Sequence, residues 1–337
     1  MGMTRHLPAH VPAHGGHHVP TPVLPVVLAE KVQGLREASK ADNTRRAYLS
    51  DWRSWQAWCD LHGHSSIPAH PDTVSAYLAD KADTVKVSTL RRHLATISKA
   101  HQVAGFPNPC RETAVRDTVS GLRRTYGTMP DEAPGLLADH LGQTLDSMGT
   151  DPLSVRDSAL LLVGWCGGLR RSELCALTWG DLTPDPDGLV VTLRRSKTDQ
   201  QGEGRQVGLA RNSNPARCPV VALDQWRAVV ETLTEPGTDL AGVPVFATIT
   251  RWGKMGTKAL TGQSVALVIK RRTQQAGLPV QYRGHSLRKG LVQSAHLAGV
   301  SDSAVMATTG HHSVTMLRRY QGQAGLVSRS ASRGLLS

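Results

Sequence analysis

From Leu28 to Tyr126 the apolar residues recur at three- and four-residue spacing and never alternate, so the stretch predicts packed helices and no sheet. A helix starting at Asn43 or Thr44 carries Tyr48, Trp52, Trp55 and Cys59 on one face. Pro71-Asp72 opens a second, with Val74, Tyr77 and Leu78. Ser88 is placed to cap a third through Leu90, Leu94, Ile97 and His101, which Gly105 and Pro107 end, and a fourth holds Val115, Val119 and Leu122. Turn formers at 127–134 read as a linker. Beyond it the pattern stays mainly helical, at 135–148, 154–166, 219–233, 262–275, 287–298, 301–308 and 313–321. Gly167-Gly168 breaks the second of these, and a short helix resumes at Ser172. One stretch differs: Leu189–Leu193 and Gln206–Leu209 predict a hairpin around a polar loop at 194–204. A chain of 337 residues exceeds one comfortable core. The expectation is a mainly α protein with a Pro/His-rich, disordered tail at 1–25 and an all-helical domain at 26–126. The linker at 127–134 then leads to a mixed α+β domain with a small antiparallel sheet at 135–337.

The formal net charge is +12 and the pI about 9.9, with Lys and Arg spread over both halves. That distribution suits a nucleic-acid duplex better than a small acidic substrate. Five cysteines, odd in number and without a Cys-x-x-Cys pair, argue against a disulfide framework or zinc ribbon. The longest apolar run, Ala159 to Cys166, is far short of a membrane span, and the amino end has no signal-peptide core. These features predict a cytoplasmic protein that does not engage a membrane. His6, His10, His14, His17 and His18 are irregularly spaced, so they read as tail rather than as a metal site.

Chemistry is concentrated in an ordered series. Arg170 lies in Gly168-Leu169-Arg170-Arg171-Ser172-Glu173, and Lys197 in Ser196-Lys197-Thr198. His285 and Arg288 form a His-x-x-Arg, His311 follows Gly310, and Tyr320 comes nine residues later. A neutral tyrosine in a core needs no such company; one that attacks a phosphodiester does. The cations stabilise a pentacoordinate phosphate, and no metal or cofactor is required. A phenol with a reference pKa of about 10 is a poor nucleophile until neighbours favour the phenolate or a base takes its proton. Tyr320 is then the nucleophile, and the phosphotyrosine ester keeps the bond energy for rejoining.

Arg170 and Arg288 can each present a planar fork to two non-bridging oxygens. Arg171 competes with Arg170, although the helical phase of Glu173-Leu174 turns it outward. Glu173 could hold a guanidinium or a histidine. Lys197, at the hairpin tip, could protonate a departing 5′ oxygen. His285 and His311 could donate to the phosphate or move the tyrosine proton, with His312 the rival of His311. No Walker loop, His-Glu-x-x-His or Gly-x-Gly-x-x-Gly before a helix offers a competing chemistry.

In these motifs, together with Thr44-Arg45-Arg46 and Trp55-Gln56-Ala57-Trp58-Cys59, the chain resembles the tyrosine recombinases of the phage integrase family, Cre-type members above all. The resemblance covers nearly everything after residue 25. It implies a helical core-binding, SAM-like domain, a catalytic domain of the DNA breaking-rejoining fold, and a C-shaped clamp on duplex DNA. It also implies a homotetramer on two sites and strand exchange through a Holliday junction with 3′-phosphotyrosine intermediates. Arg170, Lys197, His285, Arg288, His311 and Tyr320 fall at the family's catalytic positions and Glu173 at its acidic one. The segment from Gln321 to Ser337 would dock on a neighbouring subunit.

Arg45 and Arg46 at one helix start, and Lys86, Arg91 and Arg92 at another, are candidates for the major groove. Gln263 could reach a base edge, with Lys270, Arg271 and Arg272 nearer phosphate. The tail leaves no room for an arm-site domain, so simple inverted-repeat sites are expected to suffice. Two other readings stay open at this level, a type IB topoisomerase and a DNA-binding protein without cleavage activity.

Overall fold

The computed structural model describes residues 42–128, 132–194, 204–250, 252–279 and 281–321. The expected tail at 1–25, Lys197 with most of its loop, and the residues after Gln321 lie outside them. The chain divides into two compact units, Met1–Pro130 and Asp131–Ser337.

In the first unit the predicted helices are α1 (Asp42–His62), α2 (Pro71–Lys81), α3 (Val87–Ala104) and α4 (Thr113–Tyr126). Packing of α1 on α3 and of α2 on α4 encloses Trp55, Cys59, Tyr77, Leu78, Leu90, Ile97 and Val115. Full burial of each such side chain contributes about 1.5–3 kcal/mol. Helix α3 starts two residues earlier than Ser88 would place it, with Lys86 at its cap position, and ends where Gly105 turns left-handed at φ 74°. A buried carboxylate, Asp51, knits α1 to α3. It accepts from Nε and Nη2 of Arg92 at 2.7 and 2.9 Å and lies 3.1 Å from Nε2 of His93.

The second unit is built on α6 (Pro152–Cys166), which follows α5 (Ala138–Asp146) and packs against both α8 (Pro219–Leu233) and α10 (Ser286–Leu297). Asp151 caps α6 by accepting from the backbone of Leu153 and Ser154, each at 3.1 Å. Residues Ala159 to Val163 are buried all round, which marks α6 as a core helix. Its one buried acid, Asp157, is met by Arg156 at 2.7 Å, Arg271 at 2.6 Å and Arg272 at 2.8 Å.

Short α7 (Arg171–Ala176) leads into a three-stranded antiparallel meander of β1 (Leu182–Asp185), β2 (Gly188–Leu193) and β3 (Arg205–Ala210). Val191 faces Val207 and Leu193 faces Arg205 across β2 and β3. Strand β1 and a second antiparallel pair, β4 (Ala247–Ile249) and β5 (Met255–Ala259), were not expected from the sequence. Helices α9 (Gly262–Gln275), α11 (Asp302–Thr309) and α12 (Val314–Gln321) complete the unit. Val292, Val305 and Leu317 form a small satellite core under α12, against which Tyr320 packs. Among the described residues, no helix is long and apolar enough to cross a membrane.

Candidate active site

Two glycine turns deliver the central residues. Helix α6 ends at Cys166; Gly168, just beyond its cap, has a φ of 55° that suits glycine, and any Cβ there would come to 2.8 Å from Thr309 Cγ2. The chain thereby turns Arg170 back against the body of the unit. Helix α11 ends likewise at Gly310, with φ 67°, which places His311 in the interior and His312 at the surface.

Arg170 precedes α7, and Glu173 in the first turn of α7 holds it twice. One carboxylate oxygen accepts from the Arg170 backbone N–H at 2.8 Å, the other from its Nη1 at 2.6 Å. Glu173 is 2 % exposed, so this is a buried ion pair on which the helix start also depends. Arg171 points outward and donates to the Gly262 carbonyl.

Arg288, in the first turn of α10, is also 2 % exposed. Its Nη1 donates to the carbonyls of Gly168 at 2.7 Å and Thr309 at 2.6 Å, and its Nη2 lies 3.2 Å from His311 Nε2. Burial first, then the nearby Arg170 charge, lowers its pKa to about 10, so it stays charged at neutral pH. The tautomer of His311 follows from its neighbours. The Thr309 hydroxyl donates to the Val305 carbonyl at 2.6 Å, so it accepts from His311 Nδ1–H at 2.7 Å. Nε2 is then the acceptor that Arg288 meets. Burial, followed by Arg288, Arg170, Arg205 and His312, pushes this imidazole down to about 4.

Tyr320 lies in the same chain, half-buried, with its ring centroid 5.4 Å from that of His311. Its carbonyl accepts from Gln293 Nε2 at 3.1 Å, and the adjoining Arg319 donates to Glu132 at 2.6 Å. His285 is exposed at the head of α10. The structure thus brings Arg170, Glu173, Arg288, His311 and Tyr320 together. Lys197 lies outside the described residues.

The site has a member that sequence reasoning missed. Arg205, the first residue of β3, donates from Nη1 to the Thr308 carbonyl at 2.8 Å and brings Nη2 to 3.5 Å from Glu173. Burial lowers its pKa, an effect Glu173 opposes and Arg170 adds to. A signal was available: β3 alternates, and Arg205 shares the inward face of buried Val207 and Leu209. An arginine on an inward face needs an anion.

Of the expected DNA contacts, Arg45, Arg46, Lys86, Arg91, Gln263 and Lys270 are exposed on α1, α3 and α9. One expectation needs correction. Arg272 is 8 % exposed and bound to Asp157, so it belongs to the core. Arg92 places its fork on Asp51, bracing α1 against α3, while its side chain stays 45 % exposed. Arg271 shares Asp157 but remains about half exposed.

The sequence pattern of the Phage integrase family matches residues 135–324. The chain is 35 % identical over 309 residues to an integrase/recombinase xerD homolog of Selenomonas ruminantium, covering 90 % of this chain and 88 % of that one. It is 23 % identical to the recombinase cre of Escherichia phage P1, over 83 % and 84 % of the two chains. The XerD-type likeness is the stronger of the two, so the Cre-type resemblance is the more distant. The fold is similar to that of a lambda integrase tetramer bound to a Holliday junction, with a TM-score of 0.58 and 18 % identity over 91 % of this chain and 82 % of that one.

Proposed function

The chain belongs to the phage integrase family, and from that premise we propose that it is a site-specific recombinase cleaving and rejoining duplex DNA through Tyr320. The observation that carries this reading is electrostatic. Two guanidinium groups, Arg170 and Arg205, meet a single carboxylate, Glu173, and a third, Arg288, feels its charge and meets His311, whose ring lies beside that of Tyr320. The imbalance leaves two positive charges in a largely dry site, and a phosphate is the ligand that answers it.

The chemistry follows. Tyr320 Oη forms a bond to phosphorus as the bond from phosphorus to the 5′ oxygen breaks, leaving a 3′-phosphotyrosine and a free 5′ hydroxyl. The phenol gives up one proton and the 5′ oxygen gains one, so no co-reactant is consumed. Lys197 is assigned the second transfer. His285 is assigned the first transfer or a hydrogen bond to phosphate, and His311 takes either role once its Nε2 is released from Arg288, which meets it at 3.2 Å. Arg170 and Arg288 grip the non-bridging oxygens, while Glu173 fixes the Arg170 fork. Attack by the 5′ hydroxyl of another strand reverses the step and exchanges partners.

Exposed Arg45, Arg46, Lys86, Arg91, Gln263 and Lys270 are assigned to the duplex. The net charge of +12 makes that binding steeply salt-dependent. A homotetramer on paired inverted repeats, passing through a Holliday junction, is the assembly this chemistry requires; the fold shared with lambda integrase supports it. A type IB topoisomerase would use the same ester, but the XerD-type relative favours recombination.

The test is Tyr320→Phe on a nicked duplex captured by the wild-type chain. Binding is expected to stay within about twofold, since only a half-buried hydroxyl is lost. The covalent adduct should disappear. An adduct of unchanged yield would remove Tyr320 from the reaction.

A further inference from the structure

We propose that Arg205 is a third phosphate-facing arginine, placed to neutralise the charge that appears only as the phosphate becomes pentacoordinate. The inference rests on the recombinase reading above and adds a residue to its site. Arg205 is 81 % buried by its side chain's exposure of 19 %, yet it is incompletely bonded. Nη1 is held by the Thr308 carbonyl at 2.8 Å, but among the described residues Nε and Nη2 have no hydrogen-bond partner, and Nη2 only shares an ion-pair distance of 3.5 Å with Glu173. Leaving N–H groups of a buried cation unanswered is costly, so such an arrangement persists where a ligand completes it. Both oxygens of Glu173 are already taken by Arg170 at 2.8 and 2.6 Å, which leaves Arg205 the surplus charge.

Gly310 keeps this guanidinium open. A Cβ there would stand 3.0 Å from Arg205 Nε and 3.3 Å from its Cζ, covering the group, and φ 67° already favours glycine. The same glycine positions His311, so Arg205 and His311 are presented by one turn.

Charge supplies the division of labour. Among the described residues, Arg170 and Arg288 less Glu173 leave one positive charge, which matches a phosphodiester; Lys197 gives up its charge with the proton it passes to the 5′ oxygen. Arg205 raises the balance to two, which matches the dianionic phosphorane. A group serving the second charge accelerates cleavage without tightening ground-state binding.

The experiment compares the wild-type chain with Arg205→Gln and Arg205→Lys. Its substrate is a nicked duplex recovered by covalent capture on the wild-type chain from DNA flanking its own gene. The duplex is made once with the ordinary scissile phosphate and once with each stereoisomer of a methylphosphonate there, which removes one negative charge. Arg205→Gln should slow adduct formation about 100-fold on the phosphodiester and less than tenfold on a methylphosphonate, each measured against wild type on the same substrate. Gel-shift affinity should be unchanged, and Arg205→Lys, which keeps the charge in a stable fold, should fall between. An equal defect on both substrates would mean that Arg205 only buttresses Thr308 and Glu173, and would overturn the proposal, as would no defect on the phosphodiester. If wild type forms no adduct at all, the recombinase reading itself fails, a result distinct from either.

Discussion

Lowering the pH from 7 to 5 should unfasten the site through His311. The imidazole is 8 % exposed, donates from Nδ1 to Thr309 and accepts at Nε2 from Arg288, so a second proton would meet a guanidinium. Its folded pKa is about 4 against an ordinary 6.5. The unfolded chain therefore takes up the proton first. His311's contribution is complete above about 6.5, shrinks as the pH falls and is gone below about 4. With those two values the loss between pH 7 and pH 5 is about 2 kcal/mol. For a unit of this size that is about 4–8 °C in Tm. His311→Gln keeps a donor and an acceptor but cannot titrate, so calorimetry at both pH values should show the wild type losing about 2 kcal/mol more than the variant. In carbon-13 spectra of histidine-labelled protein, the resonance that vanishes in His311→Gln should titrate near 4 and move upward once phosphodiester DNA is bound. Equal losses in the two proteins, or a midpoint near 6.5 without DNA, would refute the argument from burial and neighbouring arginines.

Other perturbations test the supports. Asp157→Asn leaves Arg156, Arg271 and Arg272 around a neutral side chain in the core and should cost about 3–5 kcal/mol in urea denaturation. Glu173→Gln should cost about 3 kcal/mol and reduce adduct formation, because it frees both Arg170 and Arg205. Gly290→Ala would drive a methyl into the backbone of Leu136, a contact that cannot yield easily, and should lower stability by about 3 kcal/mol or more in urea denaturation.

Helices were legible because their apolar residues carry the spacing of the face they bury. Val74, Tyr77 and Leu78 on α2, or Leu90, Ile97 and His101 on α3, are buried as the pattern demanded. The missed strands carry little pattern: β1 is Leu-Thr-Pro-Asp with three of its four residues exposed, and β5, Met-Gly-Thr-Lys-Ala, has no run of branched side chains. Arg170, Glu173, Arg288, His311 and Tyr320 stood out as an ordered set. Arg205 did not, because only strand register turns it inward. Arg272 was misjudged for a different reason. It is answered by a carboxylate remote in sequence, Asp157, 115 residues away, and local composition does not show which surface-like cation will find a buried acid.

The tethering of Arg288 has a consequence for recognition. Its Nη1 is shared between carbonyls 120 and 21 residues distant along the chain, so the fork has already surrendered its rotational freedom when the duplex arrives. Such a receptor is rigid: it will not reach out to a phosphate that is slightly out of place. Fidelity in choosing one linkage among many identical ones then falls to the helix backbone geometry of the DNA, which must bring the correct linkage to a fixed point.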